Sequence, residues 1–229
     1  MCGRYSLGAT AGDLQLRFGL TGDRPETEPR WNIAPSQLAP VIVQNGTRHA
    51  AEMRWGLVPA WARESTPRYS TINARAETLA EKPTFRGPLS ERRCLVPATG
   101  FYEWEALGGA TKRGARRPWH IRLAGGDLFA FAGLYDIWRG PDGAALASYT
   151  IITTTANELV APLHERMPVI LPRDLEAAWL DPGERDTERL LALLRPYPPE
   201  AMERYPASPA VNSAAHEGPE LALPAPAGV

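Results

Sequence analysis

The chain has 229 residues, 44% hydrophobic and 22% charged, with two cysteines and a formal net charge of -1. That length and balance suit one globular domain with a substantial core. They exclude a disulfide-stapled scaffold, and no CxxC pair or His/Cys cluster has zinc spacing, so neither metal nor cofactor is expected and a reducing cytoplasm is. The charge is uneven: residues 1–122 hold 18 Lys+Arg against 11 Asp+Glu, and the remainder 7 against 15. A localised basic surface facing a polyanion follows from this split, while overall neutrality argues against coating a duplex.

The opening MCGRYSLGAT is too polar for a signal peptide, and the best apolar run, LFAFAGLY at 128–135, is strand-sized, so no membrane role is expected. LQLRFGL has helical spacing behind Thr10 as N-cap. LAPVIVQ and AAEMRW read as a hairpin turned at Asn45-Gly46. Strand-like runs follow at RRCLVPATGFYEW, PWHIRLAG, LFAFAGLYDIW, SYTIITTTA and MPVILP. A helix is expected at ANELVAPL, and others at DLEAAWL and ERDTERLLALL. The connections are too short for a run of βαβ crossovers. The expected fold is therefore α+β, a mostly antiparallel sheet curled toward a barrel with flanking helices. A single domain over 1–213 is expected, with a disordered Ala/Pro-rich tail over 214–229. A closed sheet without an apolar surface helix makes a monomer the expected state.

The second residue is Cys2. Removal of Met1, expected because the next side chain is small, gives Cys2 a free α-amine beside its thiol. An α-amine titrates near 8 and a lysine near 10.4, so about a tenth of the amine is unprotonated at pH 7 against roughly 0.04% of a lysine. Such an amine adds to an aldehyde to form an imine, and the adjacent thiol closes a five-membered thiazolidine with a large effective molarity. Cys94, in the apolar run CLVP, reads as buried and inert.

Six stretches occur in order: MCGRY, WNIAP (31–35), RWGLVPAW (54–61), INARAE (72–77), RRCLVPATGFYEW (92–104) and LHERMP (163–168). In this order the chain resembles the SRAP family, the SOS response-associated peptidase proteins, from residue 1 to about 213. The resemblance implies recognition of abasic sites in single-stranded DNA, at or near single-strand/double-strand junctions, and covalent capture of the opened sugar by Cys2. It also implies a cytoplasmic protein that joins the nucleoid when bound to DNA. It assigns Asn73 to fixing the attack geometry, Glu103 to proton shuttling with a raised pKa, and His164 to sugar ring opening. Arg4, Arg75 and Arg166 are expected to clamp phosphates, with Arg68 and Arg86 as looser candidates. Trp61 is expected to stack on a base. Pro35 and Trp104 are expected to wedge beside the lesion, with Asn32 close to them. The Gly- and Arg-rich insert at 106–117 reads as a hairpin tip near the backbone. Trp119, Trp138 and Trp179 read as core. Two other readings stay open: an N-terminal-nucleophile cysteine hydrolase, peptidase or glutamine amidotransferase-like, and a non-catalytic single-strand binder.

Overall fold

The computed structural model describes residues 2–21, 27–66, 70–107 and 116–226. Its core is a closed barrel of five strands: β3 (Leu38–Asn45), β4 (Thr47–Trp55), β6 (Arg93–Ala98), β9 (Phe129–Arg139) and β10 (Ala145–Thr155). Pairing runs β4–β3–β6–β9–β10 and closes where β10 meets β4; that last seam is parallel and the others antiparallel. A closed ring leaves no edge among these strands, which is why long apolar strands coexist here without pairing hazards. The short strands β11 (Arg166–Pro168) and β12 (Ile170–Leu171) pair with β10 and β9 at the end where that hairpin splays. Strand β5 (Asn73–Arg75) lies parallel to β10, with Ile151 opposite Asn73.

A second sheet of five strands rests on the barrel. Its order is β13 (Met202–Pro206), β8 (Arg116–Leu123), β7 (Gly100–Ala106), β1 (Tyr5–Leu7) and β2 (Arg30–Ile33), all antiparallel. The α+β, mostly antiparallel, barrel-like expectation therefore holds. Tyr5 joins the two sheets: its hydroxyl meets that of Tyr149 at 2.7 Å, and its ring packs edge-on against Trp55 and Phe131 at 5.2 and 6.1 Å. All four side chains are fully buried.

Local signals place several elements as read. Helix α1 (Ala11–Phe18) begins with a capping box in which Thr10 and Asp13 satisfy each other's backbone N–H groups, and it ends at Gly19 in the left-handed conformation (φ 62°). The hairpin turns at Gly46, φ 78°. Helices α3 (Glu176–Leu180) and α4 (Thr187–Ala192) lie within the expected segments.

Elsewhere the structure departs from the sequence reading. The run RRCLVPATGFYEW is two strands in two different sheets, parting at Thr99. Gly100 opens the second one; a Cβ there would lie 2.3 Å from His120 Nε2, so only glycine fits the corner. The expected helix at ANELVAPL is a series of turns instead. Asn157 caps it through Val160 N–H, and Pro162 has no N–H with which to extend it. Helix α2 (Pro83–Glu91), unexpected because it holds Pro88 and Gly87, starts with proline where an N–H would be unpaired anyway. Residues 214–226, expected as a disordered tail, lie against the smaller sheet with Leu221 1% exposed, and the last three residues fall outside the described ones. Trp179 is buried as read, whereas Trp119 and Trp138 are half-buried. No helix among the described residues is long and apolar enough to cross a membrane.

Arg93 fastens the helices to the barrel. Its guanidinium, buried, donates to five carbonyls, those of Leu89 and Ser90 at the end of α2 and of Trp179, Asp181 and Glu184 around the end of α3. A cation at two helix C-termini is favoured by both dipoles. Arg93→Ala strands all five acceptors, and the expected loss is about 3 kcal/mol or more, read as a lower urea midpoint at unchanged slope.

Candidate active site

Strand β1 brings Cys2 to the centre of the molecule. The strand lies between β2 and β7, so the three residues ahead of it are carried along the joint between sheet and barrel. Cys2 is 0% exposed, and its thiol points at the Arg4 carbonyl, 3.7 Å away. Burial pushes that thiol's pKa up, and the charge of Glu103 pushes it further, so the resting group is a neutral thiol.

Two candidate residues from two other elements, Asn73 and Glu103, meet at this point, and His164 feels the charge of the amino terminus beside it. Asn73, the first residue of β5, donates from Nδ2 to the Cys2 carbonyl at 2.7 Å. Its Oδ1 is buried and has no hydrogen-bond partner among the described residues. Glu103 sits in the middle of β7. Alternation along that strand turns Phe101 and Glu103 to the barrel side and Tyr102 and Trp104 to a separate small cluster with Ala207, Val211 and Leu221. Glu103 is 4% exposed, and burial raises its pKa, with the positive charge of the amino terminus opposing that rise. His164 closes the turns ahead of β11. Burial lowers its pKa, followed in weight by the same amino-terminal charge. The Arg166 backbone N–H donates to its Nδ1 at 3.0 Å, which leaves the proton of the neutral ring on Nε2. The amino-terminal charge thus acts on Cys2, Glu103 and His164 alike.

The expected strand-binding residues divide into two groups. Arg75 is exposed and lines a cleft of about 490 Å³ with Ser70, Asn73, Lys82, Pro83, Thr84 and Phe85. Trp61 is 63% exposed on the loop after β4, between two anchors: Ala60 N–H donates to Asp136 and Trp138 Nε1–H to the Ala62 carbonyl. Pro35 is half-buried in the turn between β2 and β3. Arg4 is half-buried, with Nη1 donating to Asn32 Oδ1 and the Val211 carbonyl, and Trp104 donates to Asn212. The other two are engaged internally. Asn32 is 0% exposed and spends its whole carboxamide inside the protein. Arg166 is 7% exposed and forms a two-pronged pair with Glu77 at 2.7 and 2.8 Å, with a third bond to the Thr153 carbonyl. As placed, neither presents a free donor face to a ligand. Arg86 is exposed on α2; Arg68 and insert residues 108–115 lie outside the described residues.

Two residues here escaped the sequence reading. Glu77 ends the INARAE stretch yet has no assigned role, because an acidic side chain is not sought where phosphates bind; its partner lies 89 residues away. Lys82 enters the cleft from the start of α2, a helix that the sequence pattern concealed. Among the described residues no group of His, Cys, Asp or Glu is arranged to hold a metal.

Residues 1–214 match the family described as SOS response associated peptidase (SRAP). The abasic site processing protein YoqW of Bacillus subtilis is 46% identical over 224 residues, covering 96% of this chain and 98% of that protein. The mouse abasic site processing protein HMCES is 34% identical over 235 residues, covering 86% of this chain and 65% of that protein. A crystal structure of a protein from Bacteroides thetaiotaomicron superimposes with a TM-score of 0.86 at 30% identity, covering 98% of this chain and all of that one.

The raised pKa of Glu103 fixes a sign. An acid that holds its proton more tightly folded than unfolded costs stability as pH rises from the ordinary glutamate range through the folded pKa. Glu103→Gln removes that cost, so the variant gains on the parent in thermal midpoint from pH 4 to pH 8; a gap that is constant or shrinks contradicts the assignment.

Proposed function

We propose that this chain, which belongs to the SRAP family, recognises abasic sites in single-stranded DNA and binds the opened deoxyribose covalently through Cys2 once Met1 is removed. The observation that carries the reading is the meeting of Asn73 and Glu103, from two separate elements, at a buried Cys2, with His164 within reach of the amino-terminal charge. The names of its relatives, abasic site processing proteins, support the same substrate.

The α-amine adds to the sugar aldehyde, and loss of water gives an imine. The thiol then adds across the C=N bond: a C–S bond forms, and the thiol proton ends on nitrogen. Glu103, its pKa raised, gives a proton to the departing water and takes the thiol proton afterwards. Asn73 holds the Cys2 carbonyl through Nδ2, and its unpartnered Oδ1 accepts from the amine. His164, with its proton on Nε2, donates to the ring oxygen as the sugar opens. Arg4 and Arg75 hold phosphates, while Trp61, Pro35 and Trp104 contact bases around the lesion.

The hydrolase reading uses the same terminus differently. A thiol that attacks amides works as a thiolate, which burial and the Glu103 charge both disfavour here. Closure onto an imine starts from the neutral thiol, with Glu103 placed to remove the proton as sulfur bonds.

Incubation with a single-stranded oligonucleotide bearing one abasic site, followed by a denaturing gel, is expected to give a slow band with the parent and none with Cys2→Ala. A band that persists in Cys2→Ala refutes the proposal, as does catalytic turnover of a peptide or glutamine without any band. An extension left ahead of Cys2 is expected to abolish the band too, because the ring needs a primary amine.

Asn73→Ala and Glu103→Gln are expected to slow crosslinking by about tenfold and about 10²-fold, measured as single-turnover rates at saturating DNA.

A further inference from the structure

The segment Pro209–Glu217 lies over the face of the smaller sheet that carries Tyr102 and Trp104 and holds two side chains of the strand-binding reading at once. The Val211 carbonyl accepts from Arg4 Nη1 at 2.8 Å, and Asn212 Oδ1 accepts from Trp104 Nε1 at 2.7 Å. Asn32 fixes the segment from beneath: its Oδ1 takes a second bond from Arg4 Nη1 at 2.6 Å, and its Nδ2 donates to the Ser213 and His216 carbonyls, both at 2.8 Å. Glu217 completes the attachment by accepting from the Trp31 backbone N–H.

We propose that this segment is a strap that presents Arg4 and Trp104 to single-stranded DNA, with Asn32 and Asn212 as its positioning residues. The inference rests on the abasic-site reading above. Both gripped groups keep a free recognition surface. Arg4 is tied through Nη1 alone, and among the described residues nothing binds its Nη2, which is left for a phosphate. Trp104 spends its single N–H on Asn212 and, half-buried against the Tyr102 cluster, keeps the rest of its ring for stacking. A long arginine and a large indole lose much rotamer freedom on binding, and the strap removes that cost in advance.

A double-mutant cycle tests the strap, read as the affinity of the full-length protein for a labelled, undamaged single-stranded oligonucleotide by fluorescence anisotropy. Asn212 is exposed, so truncating it leaves the core intact. In the parent, Asn212→Ala is expected to weaken binding about fivefold, as for one lost hydrogen bond. In a Trp104→Phe background, which keeps a ring but lacks the N–H, the same change is expected to cost less than twofold. An equal loss in both backgrounds, or none in the parent, overturns the strap. The crosslinking gel separates the two levels: a parent that forms no adduct with abasic DNA overturns the functional reading, whereas one that does, alongside an additive cycle, overturns the strap alone.

Discussion

The site depends on how firmly strand β1 is held, because Cys2 stands only three residues ahead of it. Residues near a terminus ordinarily fray, since few contacts repay the entropy of ordering them. Here β1 is paired on both sides, by β2 and β7, and Tyr5 reaches into the barrel to meet Tyr149, Trp55 and Phe131. Three residues of strand carry an anchor out of proportion to their length. The proposed nucleophile needs that fixity, since a displacement of one ångström spoils a reaction geometry.

Burial then sets the chemistry. The same low-dielectric surroundings that keep the Cys2 thiol neutral also raise the Glu103 carboxyl and lower the His164 imidazole, so all three groups favour their uncharged forms. Neutral groups exchange protons without building charge in a place that cannot solvate it. The amino-terminal charge is the largest of the influences that oppose this rise at Glu103, ahead of the Trp104 backbone and Arg116. Around this dry centre the exposed Arg75, Lys82 and Trp61 are of the types that meet phosphates and bases, at a distance from the buried acid.

The arginines illustrate why residue type alone does not give a role. Arg93 is wholly consumed by helix ends, and both terminal nitrogens of Arg166 are held by Glu77 and a carbonyl, while Arg75 stands exposed at a cleft. All lie in short stretches that also carry an acidic neighbour, Glu91, Glu165 and Glu77 in turn. Only the location of their acceptors separates a structural guanidinium from one left for a ligand, and part of each acceptor set comes from a segment more than eighty residues away.

The sequence by itself determined whatever is settled within a few residues: the Thr10 cap, the Asn45-Gly46 hairpin, the alternation that turns Glu103 away from Trp104, and the ordered motifs that carry the family resemblance. These rest on local hydrogen bonds and on strand period, which a short stretch contains in full. Tertiary structure decided the rest. It split RRCLVPATGFYEW between two sheets, an event invisible in a run that is apolar and β-prone on both sides of Thr99. It turned Asn32 from a surface candidate into an internal link, paired Arg166 with Glu77, and drew residues 214–226 onto the smaller sheet. Each of these depends on what a distant segment offers across space, and neither composition nor period encodes that.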